Sequence, residues 1–209
     1  MTKDIYLDHA ATTKPYEEVA EVVAYTMLQS YGNPSSLHKK GMEAETILKN
    51  ASEFLARQIG ALPEEIIFTS GGTESNNTAI LGASMAYRRT GNKIITSAIE
   101  HPSVKAVFQH LKEQGFEVIT IGVDASGYID QTALQEALDD QTLLVSIMHV
   151  NNEIGTIQPI KEIGNLIKSI NPNTLFHVDA VQSFGKLAIQ VKQAKIDFLS
   201  VSAHKFHGP

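Results

Sequence analysis

The 209 residues carry 43% hydrophobic and 19% charged side chains with a formal net charge of -6, which suits a globular α/β domain, alone or with a small appendage, and argues against a nucleic-acid or anionic-membrane surface. No apolar run approaches the ~20 residues of a membrane span, and Met1-Thr-Lys-Asp-Ile-Tyr-Leu-Asp has neither an apolar signal core nor an Arg/Ser-rich leader, so a cytoplasmic location is expected. Cysteine is absent, which excludes disulfides, thiolate metal sites and thiol catalysis by these residues alone.

In chain order, residues 1–15 stand apart from the pattern that follows. A turn at Gly32-Asn-Pro-Ser-Ser leads into a long amphipathic stretch, 40–59, which predicts a helix. From there short apolar runs alternate with longer amphipathic segments. Strands are predicted at Ile66–Thr69, Lys93–Thr96, Glu117–Ile121, Leu143–Val150, Leu175–Val178 and Phe198–Val201, and helices near 74–89, 103–114, 131–138 and 160–169. Connections of that length favour parallel neighbours. The nearly unbroken apolar run from Leu143 fits a strand covered on both faces. The basic pairs Lys39-Lys40 and Arg88-Arg89 read as solvated helix positions. There is no internal repeat and no low-complexity linker.

Several residues with chemical potential fall at the ends of these strands. Thr69-Ser-Gly-Gly-Thr-Glu-Ser-Asn-Asn runs from a strand end through two glycines into a helix. Glycines let backbone approach an anion, and a helix start offers unpaired N–H groups, so Gly72 and Thr73 could hold a phosphate; a glycine turn with a Ser/Thr cap reads equally well. No Gly-Lys-Ser/Thr follows, so it is not a Walker loop. Asp179, in Leu175-Phe-His-Val-Asp-Ala-Val-Gln-Ser, lies at the carboxyl end of an apolar strand, where open α/β sheets bind ligands. There it either meets a cation, such as a protonated pyridine nitrogen, or caps the following helix. Gln182 could reach the same ligand. Lys205, in Ser202-Ala-His-Lys-Phe-His-Gly-Pro, sits on a strand-end loop, where burial beside other cations makes an amine nucleophilic; Ser202 and His204 stand close by. Taken alone it reads as a solvated lysine. His101 directly follows a strand and could stack on an aromatic ring or serve structurally. Asn151 and Asn152 end the most apolar strand and could form a simple turn.

With Tyr6-Leu-Asp-His-Ala-Ala-Thr-Thr, Gly32-Asn-Pro-Ser-Ser, Thr96-Ser-Ala-Ile-Glu-His and Val145-Ser-Ile-Met-His-Val-Asn-Asn-Glu-Ile-Gly, these segments resemble, in order and along essentially the whole chain, the cysteine desulfurases of the class V branch of fold-type I pyridoxal-phosphate enzymes. Asn151-Asn152-Glu153 and Ser202-Ala-His-Lys resemble the housekeeping, iron–sulfur-cluster-type subgroup. The resemblance implies an α/β large domain with a mainly parallel sheet and helices on both faces, residues 16–209, and a segment 1–15 packing on a small domain. It implies pyridoxal 5'-phosphate held covalently by Lys205, which also moves protons. His101 would stack on the ring and act in acid–base steps, Asp179 would pair with the ring nitrogen and Gln182 with the phenolic oxygen. Gly72, Thr73, Ser202 and His204 would hold the phosphate, with Asn152 beside cofactor and substrate carboxylate. The implied reaction converts L-cysteine to L-alanine and leaves sulfur as an enzyme persulfide. The implied partners are a second copy of the chain and a sulfur-acceptor protein, an iron–sulfur scaffold or a tRNA-thiolation enzyme.

The persulfide-bearing cysteine of that family lies well past the lysine, and here no cysteine occurs. The stretch therefore reads as an amino-terminal fragment, with sheet and small domain incomplete. In that family the strand after the lysine lies between the equivalents of Ile66–Thr69 and Phe198–Val201, so an ordered structure is expected to fill this gap in some other way. A selenocysteine lyase or aminotransferase of class V, or a non-catalytic remnant that binds cofactor or a partner, are the competing readings.

Overall fold

The computed structural model describes residues 5–209, which divide into two compact units. The first unit takes residues up to Phe68, together with Ala188–Gln190 and Ala203–Pro209. It contains α1 (Glu17–Gln29) and α2 (Lys39–Ile59). Helix α1 is not among the elements predicted from the sequence, although Val19, Val22, Val23 and Met27 recur at helical spacing; none of its residues is buried. The helix expected at 40–59 is α2, opened by the His38 side chain accepting from the Gly41 N–H and closed at Gly60.

The second unit, Thr69–Leu187 with Val191–Ser202, holds the sheet. Its elements are α3 (Gly72–Ala86), β1 (Lys93–Ser97), α4 (Pro102–Glu113), β2 (Glu117–Ile121), α5 (Gln131–Ala137), β3 (Thr142–Met148), α6 (Ile160–Ile170), β4 (Leu175–Asp179) and β5 (Phe198–Ser200). The strands pair in the order β2-β1-β3-β4-β5, all parallel. Central β3 is buried at every position, which is why its sequence is apolar without alternation. On one face Ile80 of α3 and Val104, Val107, Phe108 and Leu111 of α4 pack with Ile94 and Leu144. On the other, α6 turns in Ile160, Ile163 and Ile167, close enough that a Cβ on Gly164 would lie 3.3 Å from the Phe176 ring. The strands end together at the edge that carries Ser97, Met148, Asp179 and Ser200.

One expected strand is absent. Residues 66–69 join no ladder, Ile66 N–H turns back to the Pro63 carbonyl, and Ile67 and Phe68 are exposed. An extended segment becomes a strand only when a partner takes its backbone groups, and none of the described residues does so here. Among them β5 likewise pairs only with β4.

Candidate functional site

The phosphate-cradle reading of Thr69–Thr73 rests on backbone geometry. Gly71 has φ +156°, which side-chain-bearing residues rarely adopt, and a Cβ on Gly72 would lie 2.9 Å from Val181 Cγ2 and 3.4 Å from Ser202 Cβ. Only a glycine lets the start of α3 come this close to the β4 and β5 loops. No side chain caps α3 at Gly71, so its first amides remain donors beside the exposed Thr73 and the buried Ser202. Glu74 turns away and accepts from the Ser70 N–H at 2.5 Å. Hydrogen bonds from Ser70 hold its carboxyl below the usual range.

Asp179 closes β4 and is 4% exposed. Its Oδ1 accepts from the Val181 N–H at 3.0 Å and its Oδ2 from Asn76 Nδ2 at 2.8 Å. The same Asn76 nitrogen donates to Ser103 Oγ at 3.1 Å, and Ser103 Oγ lies 2.8 Å from His101 Nδ1. Because the Ser103 N–H also donates to Nδ1 at 3.1 Å, Nδ1 is the acceptor and the neutral ring carries its proton on Nε2. The exposed His101 is thus the N-cap of α4 and the end of a polar chain that begins at Asp179. Its structural reading is the one these bonds carry. Asn152 is half-buried in a turn organised by its neighbour, since Asn151 Oδ1 accepts from the Glu153 and Ile154 N–H groups and its Nδ2 donates to Ile99 O at 2.9 Å. Gln182 is half-buried, three residues after Asp179.

Beneath this edge lie buried polar groups that the sequence did not single out. Glu100 Oε1 accepts from Ser97 Oγ at 2.5 Å and from the Met148 N–H at 2.8 Å, while its Oε2 has no partner. Burial, with a smaller push from Asp179, raises its pKa to about 8, so it is a neutral acid at pH 7. Ser75 of α3 donates to Ser200 Oγ at 3.0 Å. Ser200 Oγ lies 2.9 Å from His177 Nε2, and His177 Nδ1 lies 2.8 Å from Ser146 Oγ. Burial pushes His177 down to about 3, which keeps this cross-strand relay neutral. Burial also lowers His149, whose Nδ1 lies 2.9 Å from Ser183 Oγ. Helical spacing was the missed signal for Asn76, four residues after Gly72 and so on the same face of α3.

His204 and Lys205 belong to the first unit. The Thr13 N–H and Oγ both donate to His204 O at 2.8 Å, and His204 Nδ1 lies 3.1 Å from Thr12 Oγ. Burial, then the Lys205 charge, lowers the His204 pKa. The half-buried Lys205 donates to the carbonyls of Ala10 and Ala11 at 2.5 and 2.8 Å. Residues 8–13, which the sequence set apart from the alternating pattern, are therefore bonded to the lysine loop.

Residues 5–209 match the family model described as "Aminotransferase class-V", so the chain belongs to the class V aminotransferases, a family of pyridoxal-phosphate enzymes. Its relatives are more particular. It is 46% identical over 209 residues to "Cysteine desulfurase IscS" of Dictyoglomus turgidum, covering 100% of this chain and 52% of that protein. To "Putative cysteine desulfurase IscS 1" of Bacillus subtilis it is 47% identical over 205 residues, covering 98% and 54%. A solved structure titled "NIFS-LIKE PROTEIN" superposes with TM-score 0.96 at 40% identity, over 99% of this chain and 57% of that one. One titled "SspA in complex with cysteine" does so with TM-score 0.93 at 41% identity, over 99% and 59%. The chain spans about half the length of the curated relatives it matches. The fold is that of the fold-type I pyridoxal-phosphate enzymes.

The residues of the second unit fit such a cofactor. A phosphate needs several donors on a close-approaching backbone, and Gly72 offers that approach at the start of an uncapped helix. A pyridinium needs a buried carboxylate held in place, and Asp179 is one, with the Val181 N–H on Oδ1 and Asn76 Nδ2 on Oδ2.

Proposed function

We propose that this chain is the cofactor-binding part of a cysteine desulfurase that converts L-cysteine to L-alanine. The observation that carries the reading is the pairing of a buried Asp179, held by Val181 and Asn76, with the glycine-only approach of α3 to Ser202, in a chain 46% identical to a cysteine desulfurase. When bound, pyridoxal 5'-phosphate supplies an electron sink that lets bonds near the substrate nitrogen break. The chain's residues bind and orient it. Amides at Gly72 and Thr73, with Ser202 and His204, hold the phosphate, Asp179 keeps the ring nitrogen protonated, and Gln182 contacts the phenolic oxygen. His101 would stand over the ring and could exchange protons through its Nε2. Asn152 would stand beside the substrate carboxylate, and the Lys205 amine would anchor the cofactor and could carry the substrate's α-proton.

The balance of atoms requires a thiol. The carbon–sulfur bond of L-cysteine breaks, its sulfur joins an acceptor thiolate to give a persulfide, and the carbon left behind gains a proton to give alanine. Since these 209 residues contain no cysteine, the acceptor thiol comes from outside them. A homodimer and an acceptor protein for iron–sulfur or tRNA-thiolation chemistry complete the reading; the exposed Val22, Tyr25, Met27 and Leu28 of α1 support an apolar surface covered in assembly. The test is amino-acid analysis of L-cysteine turnover, with a thiol reductant, by the reconstituted protein carrying this chain. One alanine per sulfide is expected; an oxo-acid product, or no turnover, overturns the reading.

A further inference from the structure

Asn76 lies on the sheet-facing side of α3, 1% exposed, and its amide nitrogen spans two groups assigned above to the cofactor ring: Asp179 Oδ2 at 2.8 Å, and Ser103 Oγ at 3.1 Å, which leads on to His101 Nδ1. We propose that Asn76 is a positioning residue that keeps the Asp179 carboxylate ionised and aimed, and fixes the His101 ring relative to it through Ser103. The inference rests on the reading of Asp179 as partner of the ring nitrogen.

Three observations carry it. First, a buried carboxylate stays charged only if donors replace water. The donors come from different elements, the Val181 N–H on Oδ1 from the loop after β4 and Asn76 Nδ2 on Oδ2 from α3. They fix the plane of the carboxylate as well as its charge. Second, the amide orientation is set by chemistry, because turning it over would press Oδ1 against an anion. Third, Asn76 Oδ1 is buried without a hydrogen bond. A leucine would fill the same volume with no bare oxygen, so packing alone does not account for an amide here, whereas its two donated bonds do.

Other titratable groups lie near the pair. Glu100, on the turn after β1, is held protonated by burial. His177 on β4 and His149 beyond β3 are lowered toward neutrality. From α4, Lys105 is exposed at the surface, and His101 is reached through Ser103.

The test uses two variants of similar size. Asn76→Leu removes the donor. Asn76→Asp removes it too, but regains one whenever the new carboxyl is protonated. In the cofactor-free protein, carbon-13 NMR follows the Asp179 carboxyl. In Asn76→Leu its titration midpoint is expected to rise by about one pH unit or more, a tenfold change in proton affinity. In Asn76→Asp the two carboxyls are expected to share one proton and titrate in two separated steps. In the reconstituted protein, kcat should fall about tenfold or more in Asn76→Leu with KM little changed. In Asn76→Asp it should recover as pH falls through the upper step, a rescue that loss of packing would not give. An unmoved Asp179 titration in Asn76→Leu overturns the proposal. Should that variant not fold, a single ordinary carboxyl titration in Asn76→Asp overturns it. A shifted titration in a protein that takes up no pyridoxal 5'-phosphate supports the carboxylate role and overturns the proposed function instead.

Discussion

Glu100 Oε1 accepts the backbone N–H of Met148 at 2.8 Å, so a side chain on the turn after β1 closes the end of central β3 and holds the backbone from which His101 projects. That bond favours the ionised carboxyl, but burial outweighs it and holds the group protonated.

That gives a pH prediction with a definite sign. The Glu100 pKa is raised from 4.5 to about 8 on folding. Between those values the folded state keeps a proton that the unfolded state has lost. The contribution is therefore fully present below about 4.5 and is lost as pH rises to about 8, at up to ~1.4 kcal/mol per pH unit. Glu100→Gln offers the same acceptor oxygen without titration, and its stability should not fall over that range. Urea unfolding at a series of pH values checks this; parallel curves for wild type and variant would contradict it.

His177 predicts the opposite limb. Its pKa falls from 6.5 to about 3 on folding, so its contribution is present above 6.5 and is lost as pH falls toward 3. Between 4.5 and 6.5 the two groups oppose each other, and the wild-type stability should be flat there. His177→Leu should flatten the acid limb. At neutral pH it should cost about 2–4 kcal/mol, because the Ser146 and Ser200 hydroxyls lose a buried partner. Denaturant melts at pH 4 and pH 7 separate the two effects.

Gly72→Ala brings a Cβ to 2.9 Å from Val181 Cγ2. The clash should cost about 1–3 kcal/mol and weaken cofactor binding. Val181→Ala opens the space, so the double variant should be more stable than the sum of the two single changes by about 1 kcal/mol. A thermodynamic cycle from urea melts measures the coupling, and strict additivity would show that the approach at Gly72 is not tight.

The sheet was largely legible because its signal is local. Continuous apolar runs at β3 and β4 and amphipathic segments at α4 and α6 reflect burial that each segment encodes for itself. Residues 66–69 misled for the complementary reason: Ile66 and Phe68 carry strand propensity, but a strand also needs a partner, which propensity does not report. α1 went unread because Tyr25 and Leu28 lie off the stripe of Val19, Val22, Val23 and Met27 and blur its period. Within the candidate site, Gly72, Asp179 and His101 stood out because glycine pairs and strand-end polar residues are unusual in themselves. Asn76, Ser103 and Glu100 did not, since their roles arise from contacts across the fold, 103 residues apart for Asn76 and Asp179. The engagement of Lys205 by Ala10 and Ala11 spans the chain in the same way.

The most direct test of the account is to find which side chain holds the cofactor. The protein carrying this chain, loaded with pyridoxal 5'-phosphate, is reduced with borohydride, digested and mapped by mass spectrometry. The account predicts that the label sits on the peptide containing Lys205 and that Lys205→Ala leaves no covalent label at all. A label on any other lysine, or one that persists in Lys205→Ala, would contradict it.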